Sequence, residues 1–466
     1  MPRRVVIVGC GVSGTTAAFY ARKTDRTAEI VVAGEENLPE YSRCGLPYAF
    51  SGIVPSFPSL LGYDEEFYRH TNRINLNLGV KAEKLDTTNK TVQFHRLSDG
   101  TSHAEHYDSL ILATGAKPIS LPIQGTELKG VFTIRTMDDV EGLANYLRQA
   151  KAKKVAIIGA GLTGSEMAEA LLLRRIPVLQ AEIVPEILPA ILDPDMASII
   201  RERGEKHGID YQLASSLEQI LGSNGKVEGV RISGKTWNVD AVVMAVRVGP
   251  TTELARDAGI LLGELGGIRT DTRMATSAKD VFAVGDCVET FDRITGRHVL
   301  LQLSTTAVRQ AVVAGINASG GTSRYPGSTG VNTVKLFGLE VAAFGPTTFS
   351  AEKIGIHPTT VRVTGLTRLS YYPGGKDLTV KLLADPKDGR LLGAQIVGEE
   401  GAVLRANFAS MAGHLGLTVE QFSEIETCYS PPVAPVWDPV TIAAQALVRK
   451  LKTASSREQT PRIQSP

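Results

Sequence analysis

Little in this chain is suited to cross-linking, metal binding or life in a membrane. Only four cysteines, Cys10, Cys44, Cys287 and Cys428, occur in 466 residues. They lie far apart, in no CxxC or other metal-ligand spacing. The eight histidines form no HExxH pair, so no metal is expected. No apolar run approaches the roughly 18 residues needed to span a bilayer. Lys and Arg number 50 against 49 Asp and Glu, leaving a net charge of +1. That balance gives no electrostatic case for nucleic acid or an anionic membrane as partner. The apolar run after Arg3-Arg4 is only Val5–Val8, too short for an export signal. The expected compartment is therefore cytoplasmic, where structural disulfides are disfavoured and an important thiol is a chemical one.

What is abundant is glycine, 46 residues, in a chain that is 43% apolar and 21% charged. Such a balance belongs to a globular protein with sizeable cores, and the length suggests about three domains. Short β-branched runs recur at Val5–Val8, Ile30–Val32, Leu110–Ala113, Val155–Ile158, Ala241–Val246 and Val281–Val284. Continuous apolar strands followed by helical patterns predict parallel sheets buried on both faces. The last third changes character. Thr333–Phe344, Thr359–Val363, Leu378–Leu383 and Leu391–Val397 read as an antiparallel sheet, followed by a helix over Ala402–His414. The polar end from residue 451 onward reads as a disordered tail.

One unit is duplicated. Gly9-Cys10-Gly11-Val12-Ser13-Gly14 follows the first strand, and Gly159-Ala160-Gly161-Leu162-Thr163-Gly164 follows the strand at 155. Glycines between a strand and a helix let backbone amides approach a pyrophosphate at the positive helix N-terminus. Glu35 and Glu182 then stand about twenty residues on, where a carboxylate accepts from ribose hydroxyls. Glu182 favours NADH over NADPH because it repels a 2′-phosphate, although Arg174 and Arg175 are near it in sequence. Two such units in one chain predict two dinucleotides.

Leu112-Ala113-Thr114-Gly115-Ala116-Lys117-Pro118 and Val281-Phe282-Ala283-Val284-Gly285-Asp286 resemble the ATG and GD signatures of the two-dinucleotide flavoprotein disulfide reductases. The resemblance spans nearly the whole chain. It implies that the first glycine loop, Glu35, Thr114, Gly115 and Asp286 hold FAD, and that the second loop with Glu182 holds NADH or NADPH. Glu166 matches the family's glutamate near the flavin. The implied fold is α/β, with two Rossmann-like domains and a C-terminal α+β dimerisation domain. The expected boundaries are 1–118 with 270–325 for FAD, 119–269 for NAD(P)H and 326–450 for dimerisation.

Within that family, Tyr41-Ser42-Arg43-Cys44-Gly45-Leu46-Pro47-Tyr48 carries one cysteine where the glutathione-reductase branch has a CxxxxC pair. It resembles the single-cysteine branch of coenzyme A-disulfide reductases, NADH oxidases, NADH peroxidases and CoA-dependent sulfur reductases. Tyr429-Ser430-Pro431-Pro432-Val433-Ala434-Pro435-Val436-Trp437-Asp438-Pro439 is similar to the YAPPFSPVWDP motif of the coenzyme A-disulfide reductases, and Tyr371-Tyr372-Pro373-Gly374 to their YYPG segment. The resemblance implies a homodimer in which Tyr429 and one of Tyr371 or Tyr372 reach the redox Cys44 of the partner. A phenol there can protonate a leaving sulfur. Val12 stands where peroxidases have a histidine, which argues against peroxide reduction. Leu162 stands where many relatives have a gating tyrosine.

The four thiols differ in expectation. Cys44 beside Arg43 has a cation to favour its thiolate, whereas Cys10 and Cys287 read as small packed residues. Cys428 precedes Tyr429 and reads as packing, with a second redox thiol as the alternative. Arg22, Ser42, Arg43 and Arg69 are the candidate substrate contacts, Arg22 and Arg69, together with Lys23 and His70, for CoA phosphates. The reading that results is NAD(P)H-dependent reduction of CoA disulfide, or a related small disulfide or sulfur species, through a Cys44 mixed disulfide. The alternatives are an NADH oxidase cycling a Cys44 sulfenic acid and a reductase of a small electron-transfer protein.

Overall fold

The computed structural model describes residues 2–458. Its first sheet is parallel, in the order Val281–Ala283, Ser109–Leu112, Arg4–Val8, Glu29–Gly34, Ile74–Leu78. The central runs are apolar because both faces are covered, and Val5, Val6 and Ile7 are fully buried in a core they share with Leu85, Val92 and Phe94 of an antiparallel sheet. A second parallel sheet repeats the plan, in the order Ile209–Gln212, Val178–Ala181, Val155–Ile158, Ala241–Met244, Val131–Thr133. Each central strand runs through its glycine loop into a helix, Val12–Thr24 in the first unit and Leu162–Leu173 in the second. Three-stranded antiparallel sheets accompany both units, at Val80–His106 and Leu217–Asn238.

The chain passes between the units through two short segments that pair with each other, Ala116–Pro118 antiparallel to Val248–Pro250. The return crossing therefore comes earlier than the expected boundary at 269. Ala255, Ile260 and Ile268 are buried in the core of the first unit. Residues 253–269 thus belong with the first sheet, because their apolar side chains have a core to fill there.

The last third forms a five-stranded antiparallel sheet in the order Asn332–Leu336, Leu339–Phe344, Leu391–Gly398, Asp377–Ala384, Thr359–Leu366. The single long run expected over 333–344 is a hairpin turned at Phe337-Gly338, where Phe337 takes φ 51° and Gly338 φ 79°. Helices Ala402–Leu415 and Pro439–Glu458 pack on this sheet through Ala402, Ala406, Ala409, Val440, Ala444 and Leu447. The final helix carries residues 451–458, which corrects the tail expected to begin at 451. Residues 459–466 of that expectation lie outside the described residues.

Lys381, buried, joins this domain to the second unit. Its Nζ lies 2.8 Å from Asp193 and 2.7 Å from Asp195 at the start of helix Pro194–Lys206. Among the described residues no helix is long and apolar enough to cross a membrane.

Candidate active site

The two glycine loops are built alike, and each glycine has its own cause. Gly9 has φ +116°, and a Cβ there would stand 2.0 Å from the Ala113 carbonyl oxygen of the neighbouring strand. A Cβ on Gly14 would stand 1.9 Å from the Gly9 carbonyl oxygen, so the helix lies directly on the loop. Gly159 and Gly164 repeat both approaches, at 2.4 Å from Ala245 O and 2.2 Å from Gly159 O. Gly11 and Gly161 are different. Their φ of −83° and −73° suits any residue, and a Cβ on either meets no protein atom within 4 Å. Protein packing gives no reason for glycine there, and neither helix N-terminus has a side-chain cap. Open space over uncapped amides fits a pyrophosphate, so the residues present fit two dinucleotides.

The acidic residues complete each loop differently. Glu35 follows its strand and is exposed. Glu182 folds back, accepting from the Ala160 amide of its own loop at 2.8 Å and from the Val184 amide at 3.3 Å. Arg174 turns away from the nucleotide side, donating to the Phe50 carbonyl at 3.3 Å and lying 4.6 Å over the Phe50 ring. Thr114 donates to the Thr251 carbonyl at 2.6 Å, and the Gly115 carbonyl accepts from the Thr251 amide, so the pair fixes the crossing. Asp286 follows Val281–Ala283 in a short 3-10 turn and pairs with Arg135 at 3.2 Å. Gln310 holds that turn by accepting from the Gly285 amide at 2.8 Å.

Cys44 sits in the turn Arg43–Gly45 that leads into helix Leu46–Ser51, and its side chain is exposed. Its sulfur lies 3.7 Å from the hydroxyl of Ser304, the first residue of helix Ser304–Ala318. That helix has no side-chain cap, so its partial positive charge stands beside the sulfur. The cation expected to do this, Arg43, is committed elsewhere: it pairs with Glu36 and donates to the Tyr41 hydroxyl at 3.1 Å and the Arg135 carbonyl at 2.8 Å. The other thiols separate clearly. Burial pushes Cys10 up to about 12 and also raises Cys287, which is enclosed and bonded to the Val284 carbonyl at 3.2 Å. Cys428 is exposed.

The candidate substrate cations are less available than their sequence suggests. Arg22 donates to five backbone carbonyls, of Asp25, Arg26, Ala28, Asn72 and Arg73. Arg69 meets Glu65, Asn75 and the Leu76 carbonyl. Ser42 is exposed next to Cys44. On the C-terminal domain, Tyr371 and Tyr429 come together, and hydrogen bonding with Tyr429 raises the Tyr371 phenol's pKa. Tyr372 is half-buried. Tyr371, Tyr429 and Trp437 are 69%, 49% and 59% exposed, an aromatic surface with no cover in one chain.

Sequence reading missed Tyr48, Ser304, Arg135 and Gln310. Tyr48, one helical turn after Cys44, donates to Glu166 at 3.0 Å. Burial raises Glu166 to about 7, against the opposing pull of that hydrogen bond. Only the four-residue offset from Cys44 could have marked Tyr48, since its partner is far away in sequence.

Two nucleotide-binding units, one exposed cysteine at a helix N-terminus and a third domain with an uncovered aromatic face define an FAD- and pyridine nucleotide-dependent oxidoreductase. The chain belongs to the pyridine nucleotide-disulphide oxidoreductase family, whose model matches residues 3–311, with the family's dimerisation domain at 331–439. It is 39% identical over 448 residues to an NADH oxidase of Methanocaldococcus jannaschii, covering 96% of this chain and 99% of the relative. It is 33% identical over 453 residues to a CoA-dependent NAD(P)H sulfur oxidoreductase of Pyrococcus abyssi, covering 96% and 98%. Among solved structures, an NAD-dependent persulfide reductase from A. fulgidus matches with a TM-score of 0.94 at 32% identity, over 97% of this chain and 84% of the other.

Proposed function

We propose that the protein uses NAD(P)H to reduce coenzyme A disulfide, or a related small disulfide or sulfur species, at Cys44. The observation that carries this is the exposed Cys44 sulfur 3.7 Å from Ser304 at an uncapped helix N-terminus, with the other two thiols of the nucleotide-binding units buried or half-buried. The relatives that act on sulfur species, one of them CoA-dependent, support the same acceptor class.

FAD would be held by the first glycine loop, Glu35, Thr114, Gly115 and Asp286. The nicotinamide coenzyme would be held by the second loop and Glu182, with NADH preferred. A bound flavin supplies the exchange of an electron pair between nicotinamide and the cysteine sulfur. The chain's own part is nucleophilic and electrostatic. The Cys44 thiolate attacks one sulfur of the disulfide, forming a Cys44–S–S–R bond as the old S–S bond breaks and RS⁻ departs. Two electrons then return Cys44 to thiolate and release the second RS⁻. The balance is one disulfide, one NAD(P)H and one proton to two thiols and NAD(P)⁺. Ser304 and the helix N-terminus stabilise the sulfur charge, and Tyr429, with Tyr371 behind it, donates a proton to the departing thiolate from the partner subunit of a homodimer.

The exposed sulfur also favours a second reading. Oxygen reduction with Cys44 as sulfenic acid matches the name of the Methanocaldococcus relative. Steady-state assays with NADH and NADPH against a panel of CoA disulfide, polysulfide, persulfide and oxygen separate the two. A CoA-disulfide rate no faster than the aerobic background, or full thiol-acceptor turnover in Cys44→Ser, defeats the first.

A further inference from the structure

The helix that begins beside Cys44 and the helix that begins at the second glycine loop touch at two points. At one, Tyr48 Oη lies 3.0 Å from Glu166 Oε1. At the other, Arg174 donates to the Phe50 carbonyl and covers its ring. Leu46, Ala49 and Phe50 share one buried core with Met167, Ala168 and Leu171, so neither helix can shift without the other. Burial, Glu166 and Cys44 all raise the Tyr48 phenol's pKa, which keeps it protonated and a donor. Glu166 then accepts in either protonation state, since each has a free oxygen lone pair.

We propose that Tyr48 is a positioning residue for Glu166, a latch through which that carboxyl joins the thiol side of the site to the nucleotide side. The charges around it agree with that role. Tyr48 and, beyond it, Cys44 face it from the cysteine helix, and Glu169 faces it from its own helix. Glu169 in turn meets the Phe337 amide at 2.8 Å and feels His207 and Lys335. No cation pairs with Glu166 among the described residues, so the Tyr48 hydroxyl is the group that stabilises its anion. With a pKa of about 7, the carboxyl holds its proton below neutrality and loses it above. The inference rests on the redox role of Cys44 only for its consequence in turnover.

The test has two readouts. The protonated-carboxyl infrared band of the resting protein, with no coenzyme added, is titrated between about pH 5 and pH 9. Wild type should lose a band near pH 7 that Glu166→Gln lacks at every pH. Tyr48→Phe removes the donor that stabilises the anion while burial stays, so its band should persist about one unit higher. In anaerobic flavin bleaching by NADH, the same inflection should be present in wild type, move up in Tyr48→Phe and vanish in Glu166→Gln. Glu166→Asp, one methylene short of the phenol, should behave like Tyr48→Phe and serves if that variant fails to fold. A Tyr48→Phe or Glu166→Asp titration that superimposes on wild type overturns the latch, as does a band that survives in Glu166→Gln. Neither readout involves a thiol acceptor, so failure of CoA-disulfide turnover would leave this result standing.

Discussion

Alanine scanning of the glycine loops separates what the protein needs from what its cofactors need. At Gly11 the backbone is extended and a Cβ has nothing within 4 Å. Gly11→Ala should therefore leave the flavin-free protein intact, and even stabilise it by about 0.5 kcal/mol through lost freedom in the unfolded chain. The same methyl would occupy the space over the helix amides. If it holds a pyrophosphate back from about two charge-assisted bonds, the loss is about 3 kcal/mol, roughly two decades in FAD affinity. Gly14→Ala behaves in the opposite sense. Its Cβ would lie 1.9 Å from a carbonyl oxygen that belongs to the loop itself, so the flavin-free protein should lose about 3 kcal/mol or more. The second loop supplies the cross-control: Gly161→Ala should retain FAD but raise the KM for NADH. Thermal melting of flavin-free protein, flavin titration and NADH kinetics on the four variants, Gly164→Ala completing the set, give the pattern. Stoichiometric FAD in purified Gly11→Ala, or FAD loss in Gly161→Ala with NADH binding unchanged, would refute the assignment of the loops.

Three other outcomes follow from the same geometry. Cys44→Ser should abolish disulfide turnover while NADH still bleaches the flavin at the wild-type rate, as single-turnover kinetics would show. Lys381→Met should cost about 3 kcal/mol in a chemical melt, because it leaves the buried Asp193 and its neighbour Asp195 without their cation. A variant as stable as wild type would mean the aspartates do not depend on that pair. Tyr429→Phe should lower disulfide turnover about 10- to 100-fold with NADH-dependent flavin reduction unchanged, and mixed dimers with Cys44→Ser should show which chain supplies the phenol.

The sheets were legible because parallel strands buried on both faces leave an unbroken apolar record, as in Val155–Ile158, and antiparallel ones alternate with turns. The glycine loops were legible because a close approach permits one residue type. The boundary at 269 was not, since Ala255, Ile260 and Ile268 would suit either core, and only the pairing of Ala116–Pro118 with Val248–Pro250 decides between them. Arginine roles were the least readable. A guanidinium near a cysteine or on a first helix reads as a ligand contact, yet Arg22 is drawn wholly into backbone carbonyls, and Arg43 and Arg69 into a backbone carbonyl and a nearby carboxylate each. Tyr48 and Ser304 escaped because their partners lie 118 and 260 residues away.

The two loops share one construction, so on the proposed assignment the difference between a resident FAD and a transient coenzyme must lie in what surrounds them. In the second loop, Glu182 satisfies the Ala160 amide with its own carboxylate. In the first, Glu35 accepts no hydrogen bond among the described residues and faces solvent. A coenzyme that leaves on every turnover exposes its loop each time, and an amide already bonded to a side chain tolerates that exposure at little cost. A ribose arriving at Glu182 would compete for an oxygen already in use, which weakens binding and speeds release. Glu35 offers both of its oxygens with nothing to displace, and an added ribose there gains the full interaction. With FAD in the first loop and the nicotinamide coenzyme in the second, as proposed, the hydrogen bond present in one copy and absent in the other would favour retention in the first and exchange in the second.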